Sequence, residues 1–450
     1  MRLKVTPADF RVREQLDFPA DPAGEHWVHV LHKEKLSTQE ALSQIVQHGA
    51  VDRAAIAYAG LKDRQAVTEQ HLSIAGRAVE LKLPGLNLRP IGRSPVPINS
   101  RMSRGNAFTI TVRDLKPVEA AQLRRSLPSL QVAGFPNYFD DQRFGCLRHG
   151  QGFAMLQVLR GDFEAALQQL IAAPSPRAIT GDVKLKQALQ RLWGDWDACQ
   201  DVARGPIYQP LFQHLQAHPR DFRGALELLP LRLRVIHSFA YQSFLWNRAV
   251  SLMLRGGVPS AQRLRISTLA GDLLAWKYLD PEREQKLVAM DTPLFAPDGQ
   301  GGSPVFKKAM IAELDNADLR PSHFRENVVP GMVWREEPRA VFVKPRDLGE
   351  VRIEPDDMYQ GRVKATLSFG LPRGAYATML LKRLFAPSFY AADRDRPPQR
   401  DRGDHGERPG RGGYGGRPYR TPRGGSRDEA PPPSPRRSAP WETVEEDHEA

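Results

Sequence analysis

Residues 56–70 read IAYAGLKDRQAVTEQ, and they set one acidic side chain, Asp63, between an apolar run and an extended segment, with Lys62 and Arg64 beside it. A carboxylate so placed can act as a nucleophile or a general base, and neighbouring cations favour its ionised form. An Asp between two strands is also a common turn former, and the same cations make it an ordinary surface ion pair. The local sequence leaves both readings open. Other chemistries find less support. His26, His29 and His32 recur every third residue, but Trp27, Val28, Val30 and Leu31 between them read as a strand whose histidines are surface or packed residues, not metal ligands. The Gly-rich run PDGQGG at 297–302 lacks the Lys-Ser/Thr ending and the following helix of a phosphate loop. Cys146 and Cys199 are the only cysteines, too few for a disulfide framework or a Cys-rich zinc site, and no Gly-x-Ser-x-Gly elbow stands out.

The elements around Asp63 follow from local pattern. Residues 26–31 (HWVHVL) are extended in character. Ser37 opens a capping box with Glu40 ahead of Ala41, Leu42, Ile45 and Val46, and Gly49 stands at the far end. The opening order is therefore strand, helix, strand, turn with Asp63, strand. Further on, residues 238–254 (SFAYQSFLWNRAVSLML) predict a helix stopped by Gly256 and Gly257. The body closes with an extended 341–343, a strand over 362–369, the block LPRGAYAT at 371–378 and a helix over 379–385.

At 450 residues with 41% hydrophobic content, the chain has room for two or three domains and a sizeable core. Its net charge of +12 and pI of about 9.8 point to a polyanionic partner, nucleic acid ahead of an anionic membrane surface. No apolar run approaches the roughly 18 residues of a spanning helix. The first residues, MRLKVTP, have no hydrophobic signal core behind their charges. These features predict a soluble, cytoplasmic protein in a reducing compartment. Residues 391–450 differ in kind, rich in Arg, Gly and Pro with few apolar residues, and are expected to be disordered. They carry twelve Arg, no Lys and twelve Asp and Glu, so the +12 belongs to residues 1–390. Within the tail, residues 408–427 hold six Arg and no acid, a solvating stretch or an RNA-contacting Arg-Gly segment.

Residues 59–70, AGLKDRQAVTEQ, closely resemble the catalytic motif of the TruD family of tRNA pseudouridine synthases, whose aspartate is the catalytic carboxylate. Three further stretches agree in order. KVTPADF at 4–10 resembles the family's N-terminal Lys and Asp-Phe signature, PNYFDDQRFG at 136–145 its Asn-Tyr-Phe and Gln-Arg-Phe-Gly motif, and LPRGAYAT at 371–378 its C-terminal block. SFAYQS at 238–243 is a weaker match. The resemblance spans about residues 1–390, and CLRHGQG after Gly145 departs from the family's frequent Gly-x-x-Asn pattern.

The resemblance implies that Asp63 is the catalytic residue and that Phe10, Asn137 and Tyr376 contact substrate, with Lys4 and Phe139 as neighbours. For the three aromatics the competing role is core packing, and for Asn137 a turn before a strand. It also implies an α/β (α+β) catalytic domain with a largely antiparallel central sheet, made of residues 1–155 and 346–390. A family-specific domain is inserted at 156–345, and the RNA lies in the cleft between the two. The implied activity is isomerisation of uridine to pseudouridine, by family habit uridine 13 in the D arm of tRNA, by a monomer with no cofactor, metal or membrane. Breaking one ribose–uracil bond and making another adds and removes nothing, which suits a site with a lone carboxylate. The rival is a non-catalytic RNA-binding protein on the same scaffold, which needs the basic body but not Asp63.

Overall fold

The computed structural model describes residues 1–175, 180–327 and 329–387, so the tail expected at 391–450 lies outside the described residues. In Phe10–Leu16 (β1), Phe10, Val12 and Glu14 turn inward while Arg11 and Arg13 face out, the period-two pattern of a strand with one covered face. Similar segments follow: His26–Glu34 (β2), Ile56–Tyr58 (β3), Val67–Ala75 (β4), Leu81–Leu83 (β5), Leu86–Ser94 (β6) and Ser103–Leu115 (β7). Short pairs come next, Phe135–Pro136 (β8) with Phe342–Val343 (β11), and Arg263–Thr268 (β9) with Gly271–Trp276 (β10). Arg352–Pro355 (β12) and Val363–Pro372 (β13) return to the main sheet.

That sheet has nine strands in the order β12-β13-β7-β1-β4-β2-β6-β5, with β3 also on β4. Every pair is antiparallel except β1 with β4. The fold is thus mixed α/β around a largely antiparallel sheet, as the family resemblance implies. The order also sets β13, from the end of the body, one strand away from β1, from its beginning. Both are hydrogen-bonded to β7.

The helix Thr38–Gly49 starts as its sequence demands. The Ser37 hydroxyl accepts from Glu40 N–H at 3.1 Å, and the Glu40 carboxylate accepts from Ser37 N–H at 2.6 Å. Its Ala41, Leu42 and Ile45 pack with Leu31, Leu72 and Leu88 in a small core beneath the helix. The long helix differs from its expected bounds. It runs Leu231–Gly257, starting seven residues before Ser238, because Arg232, Arg234 and His237 break the apolar period of its first turns. Gly256 and Gly257 stay helical. A terminal Gly costs only about 1 kcal/mol, and the stop comes at Val258 and Pro259. The larger core is continuous from Leu3 to Ala386 and joins the sheet to this helix and its neighbours. Among the described residues no helix is long and apolar enough to cross a membrane.

His29, on β2, is fully buried. Its Nδ1–H donates to Trp27 O at 2.9 Å and its Nε2 accepts from Val79 N–H at 3.0 Å, which requires the neutral ring. Burial pushes its pKa down to about 4, against the weaker opposing pull of the Trp27 carbonyl. The folded state therefore refuses a proton that the unfolded chain accepts near pH 6.5. The stability this histidine lends is complete above that pH and lost as pH falls towards 4. Between pH 7 and 5 the loss is expected to be about 2 kcal/mol. Urea unfolding at both pH values measures it: His29→Gln, which can still accept from Val79, should show a loss smaller by that amount than the unmodified protein.

Candidate active site

A cavity of about 520 Å³ opens where the Asp63 loop, the start of β1, the segments after β8 and β13, and the long helix meet. Lys4, Phe10, Asp63, Phe139 and Tyr376 all line it. Stretches expected to act together, though as much as 372 residues apart (Lys4 to Tyr376), thus share one wall.

Asp63 lies in the irregular turn between β3 and β4, its side chain a quarter exposed to the cavity. Lys4 Nζ donates to Oδ2 at 2.9 Å and Gln142 Nε2 to Oδ1 at 2.7 Å. Burial alone would raise the pKa of this carboxyl. The charge and hydrogen bond of Lys4, the Gln142 amide and the charge of Lys33 outweigh burial and hold it below its ordinary value. The cations adjacent in sequence are engaged elsewhere. Lys62 turns inward to the buried Glu14 at 2.5 Å, and Arg64 pairs with Glu40 at 3.3 Å. The cation on Asp63 comes instead from the N-terminal segment, and Lys4 adopts the left-handed conformation (φ 54°) there.

The loop itself is held from beneath. Lys33 is fully buried, and its Nζ donates to the carbonyls of Leu36 at 2.6 Å, Asp63 at 2.9 Å and Lys62 at 3.3 Å. Burial lowers its pKa to about 8, partly offset by the Asp63 charge. Thr38 Oγ1 accepts from Lys62 N–H at 2.9 Å and Gln70 Nε2 donates to Gly60 O at 3.3 Å.

The aromatic wall has its own frame. Phe10 is almost completely buried beneath the Lys4 ammonium, 4.5 Å from its ring centroid. Phe139 stands edge-on to Tyr376 at 6.2 Å and to Trp246 at 5.8 Å. Asn247, on the long helix, grips the Phe139 backbone from both sides, accepting from its N–H at 2.9 Å and donating to its carbonyl at 2.8 Å. The Arg339 guanidinium covers the other face of Phe139 at 3.7 Å. It donates to Asn137 O at 2.9 and 2.7 Å, to Asn137 Oδ1 at 3.1 Å and to Gly374 O at 3.1 Å. Burial pushes its pKa down to about 10, so it stays charged at neutral pH.

Asn137 is buried and is not among the cavity-lining residues. Its amide donates to Ala340 O at 3.0 Å and its backbone N–H to Val341 O at 2.7 Å. The preceding turn needs Gly134 (φ 57°), where a Cβ would stand 2.4 Å from Val343 O. Two buried charge clusters fix the rest. Arg113 joins Asp9 (2.8 Å) to Asp356 (3.0 Å) and Asp357 (2.9 Å), locking the N-terminal segment to β12. Lys382, on the final helix Ala377–Phe385, meets Asp140 at 2.5 Å and Asp141 at 2.6 Å.

Sequence reasoning missed Gln142, Lys33, Asn247 and Arg339. Gln142 belongs to the PNYFDDQRFG stretch and could have been found there. The other three act across long separations and carry no local signal.

A family model, tRNA pseudouridine synthase D (TruD), matches residues 1–384. The chain is 32% identical over 394 residues to the probable tRNA pseudouridine synthase D 2 of Methanocaldococcus jannaschii, covering 86% of this chain and 92% of that relative. It is 27% identical to the tRNA pseudouridine synthase D of Aquifex aeolicus, covering 86% and 98% of the two chains. The fold resembles the crystal structure of the putative tRNA pseudouridine synthase D from Methanosarcina mazei, with a TM-score of 0.65 at 24% identity over 85% of this chain and 93% of that one. With a family model matching residues 1–384 and a curated relative above 30% identity, the chain belongs to the TruD family of tRNA pseudouridine synthases.

Proposed function

We propose that this enzyme converts uridine 13 in the D arm of tRNA to pseudouridine, with Asp63 as the catalytic carboxylate. The position in tRNA comes from the family resemblance. The observation that carries the chemistry is the anionic Asp63, held by Lys4 and Gln142 at a cavity walled by Phe10, Phe139 and Tyr376. In the reaction the bond from ribose C1′ to uracil N1 breaks, the base turns, C1′ joins C5, and C5 loses its hydrogen as a proton while N1 regains one. Asp63 serves as nucleophile or as base for the 2′ proton, and both routes need the anion. A flipped uracil needs a stacking platform, and we assign that to Tyr376 with Phe10 and Phe139 beside it. Asn137 acts from behind the wall through Arg339. We further assign residues 1–155 and 346–390 to the catalytic part and 156–345 to an insertion. Phe239, Ser243 and Arg339 from the latter line the same cavity, which supports a site between the two.

Asp63→Asn keeps the size of the side chain and removes its charge. The variant should fold and bind tRNA, yet release no tritium from tRNA labelled at uridine C5. Release near the unmodified rate would return Asp63 to a turn-forming role.

Lys33→Met leaves the part-buried carbonyls of Leu36, Lys62 and Asp63 without their common donor, and an unsatisfied buried polar group costs about 1–3 kcal/mol. Turnover should fall at least about tenfold while tRNA affinity, carried mainly by phosphate contacts, stays within about threefold. Gel-shift titration beside tritium release separates the two.

Asn137→Ala and Tyr376→Ala should both slow turnover with affinity retained, but for different reasons. Asn137→Ala should lower the unfolding temperature further than Tyr376→Ala, because it leaves buried hydrogen-bonding groups of Ala340 and Arg339 unmatched whereas Tyr376 is half-buried at the cavity. Equal unfolding temperatures for the two variants would contradict this division.

A further inference from the structure

The loop that presents Asp63 also presents Leu61, whose side chain is 58% exposed on the lip of the cavity. Among the described residues it is the one large apolar side chain that is both exposed and cavity-lining. Its backbone has no freedom to hide it. Gly60 O is held by Gln70, and Lys62 is held at its N–H by Thr38 and at its carbonyl by Lys33. The neighbouring cations are drawn elsewhere, Lys62 inward to Glu14 and Arg64 to Glu40. The fold thus keeps a leucine in water on a fixed backbone, two residues from the carboxylate.

A nucleotide that leaves its stack opens a gap between its neighbours, and apolar side chains are suited to fill it because they regain the lost contact without competing hydrogen bonds. Along the chain Leu61 and Asp63 are at most about 7 Å apart, so one side chain can stand in the vacated step while the other meets the extruded nucleotide. We infer that Leu61 is a wedge that enters the RNA stack as the target uridine enters the cavity, packing against the nucleotide next to the target. This rests on the cavity being a uridine site. The rigid loop matters to it, since a wedge that could fold back onto the protein would lose its advantage over water.

The test uses the full-length protein and a tRNA transcript with 2-aminopurine placed on either side of the target uridine, whose fluorescence rises when stacking is lost. Binding of the unmodified protein should raise it at one neighbour. With Leu61→Ala the rise should shrink at least about threefold and tritium turnover about tenfold, with tRNA affinity within about threefold and the unfolding temperature unchanged. Leu61→Met, equally apolar, should restore both. An unchanged rise and turnover in Leu61→Ala would overturn the wedge. So would a loss that Leu61→Met shares, which would make Leu61 a shape element of the pocket. A rise lost in Leu61→Ala, with no tritium release even from the unmodified protein, would leave the wedge standing and remove the catalytic reading instead.

Discussion

A carboxylate in a largely buried setting tends to take up a proton, and much of this molecule serves to prevent Asp63 from doing so. Water that would stabilise its charge is largely excluded, so the protein must replace it with fixed partners. Lys4 at 2.9 Å and Gln142 at 2.7 Å do this directly. The magnitudes decide the arrangement. A left-handed non-Gly residue costs about 1–2 kcal/mol, whereas removing one partner of a buried ion pair costs about 3–5 kcal/mol. Lys4 therefore keeps its unfavourable φ because the alternative leaves a charge unmatched.

That solution makes the site depend on both ends of the body. The main sheet brings β13 and β1 to opposite edges of β7, so Tyr376, just after β13, and Phe10, at the start of β1, come to one wall. Before β1, sheet pairing reaches the chain as an isolated bridge at Arg2, not as a strand. Arg113 fixes these residues by bonding Asp9 to one side and the β12 turn to the other, and the bridge between Arg2 and Arg113 holds the chain just before Lys4. The Phe139 turn is fixed in the same manner from three directions, by Asn247, Arg339 and the Lys382 cluster. Burial would raise the Asp141 carboxyl, and Asp140 beside it does so further. Lys382 answers both carboxylates at once, which is why it keeps its own proton despite its burial.

What could be read from the sequence was local or contiguous. The Ser37 box and the strands on either side of Asp63 follow from side-chain period and capping chemistry, which act over a few residues, whereas the mixed fold came from the family resemblance. Asp63, Phe10, Phe139 and Tyr376 were legible because each sits in an unbroken stretch that resembles the family. The long helix was half legible, since arginines on its first turns hide the apolar stripe. Lys33 was not. It stands in a strand whose alternation suggests nothing beyond a lysine, and only the fold brings the 60–63 loop over its ammonium. Arg339 and Asn247 fail for the same reason. Asn137 was legible as part of a motif, but its position behind the wall is a property of the packing, not of the residue type.

The buried cations divide into two sets with different consequences for RNA. Lys4, Lys62, Arg113 and Lys382 each face a carboxylate, so their fields largely cancel at a distance. Lys33 and Arg339 are held by carbonyl oxygens, which orient them without neutralising them. Burial lowers the pKa of both, to about 8 and about 10, as expected where carbonyl oxygens stand in place of a directly paired carboxylate, and for Lys33 the nearby Asp63 charge offsets only part of the loss. One lies fully buried beneath the Asp63 loop and the other lines the cavity against Phe139, so two positive charges stand close to the site with little water around them. Such fixed charge favours an anion at the centre of the site without any rearrangement when it forms. It also adds to the long-range attraction of the basic body for a phosphate backbone. Lys33 therefore holds the Asp63 loop and helps keep Asp63 ionised, Arg339 holds the turn beneath Phe139, and the stability lost in burying the two cations is the cost of placing that field at the cavity.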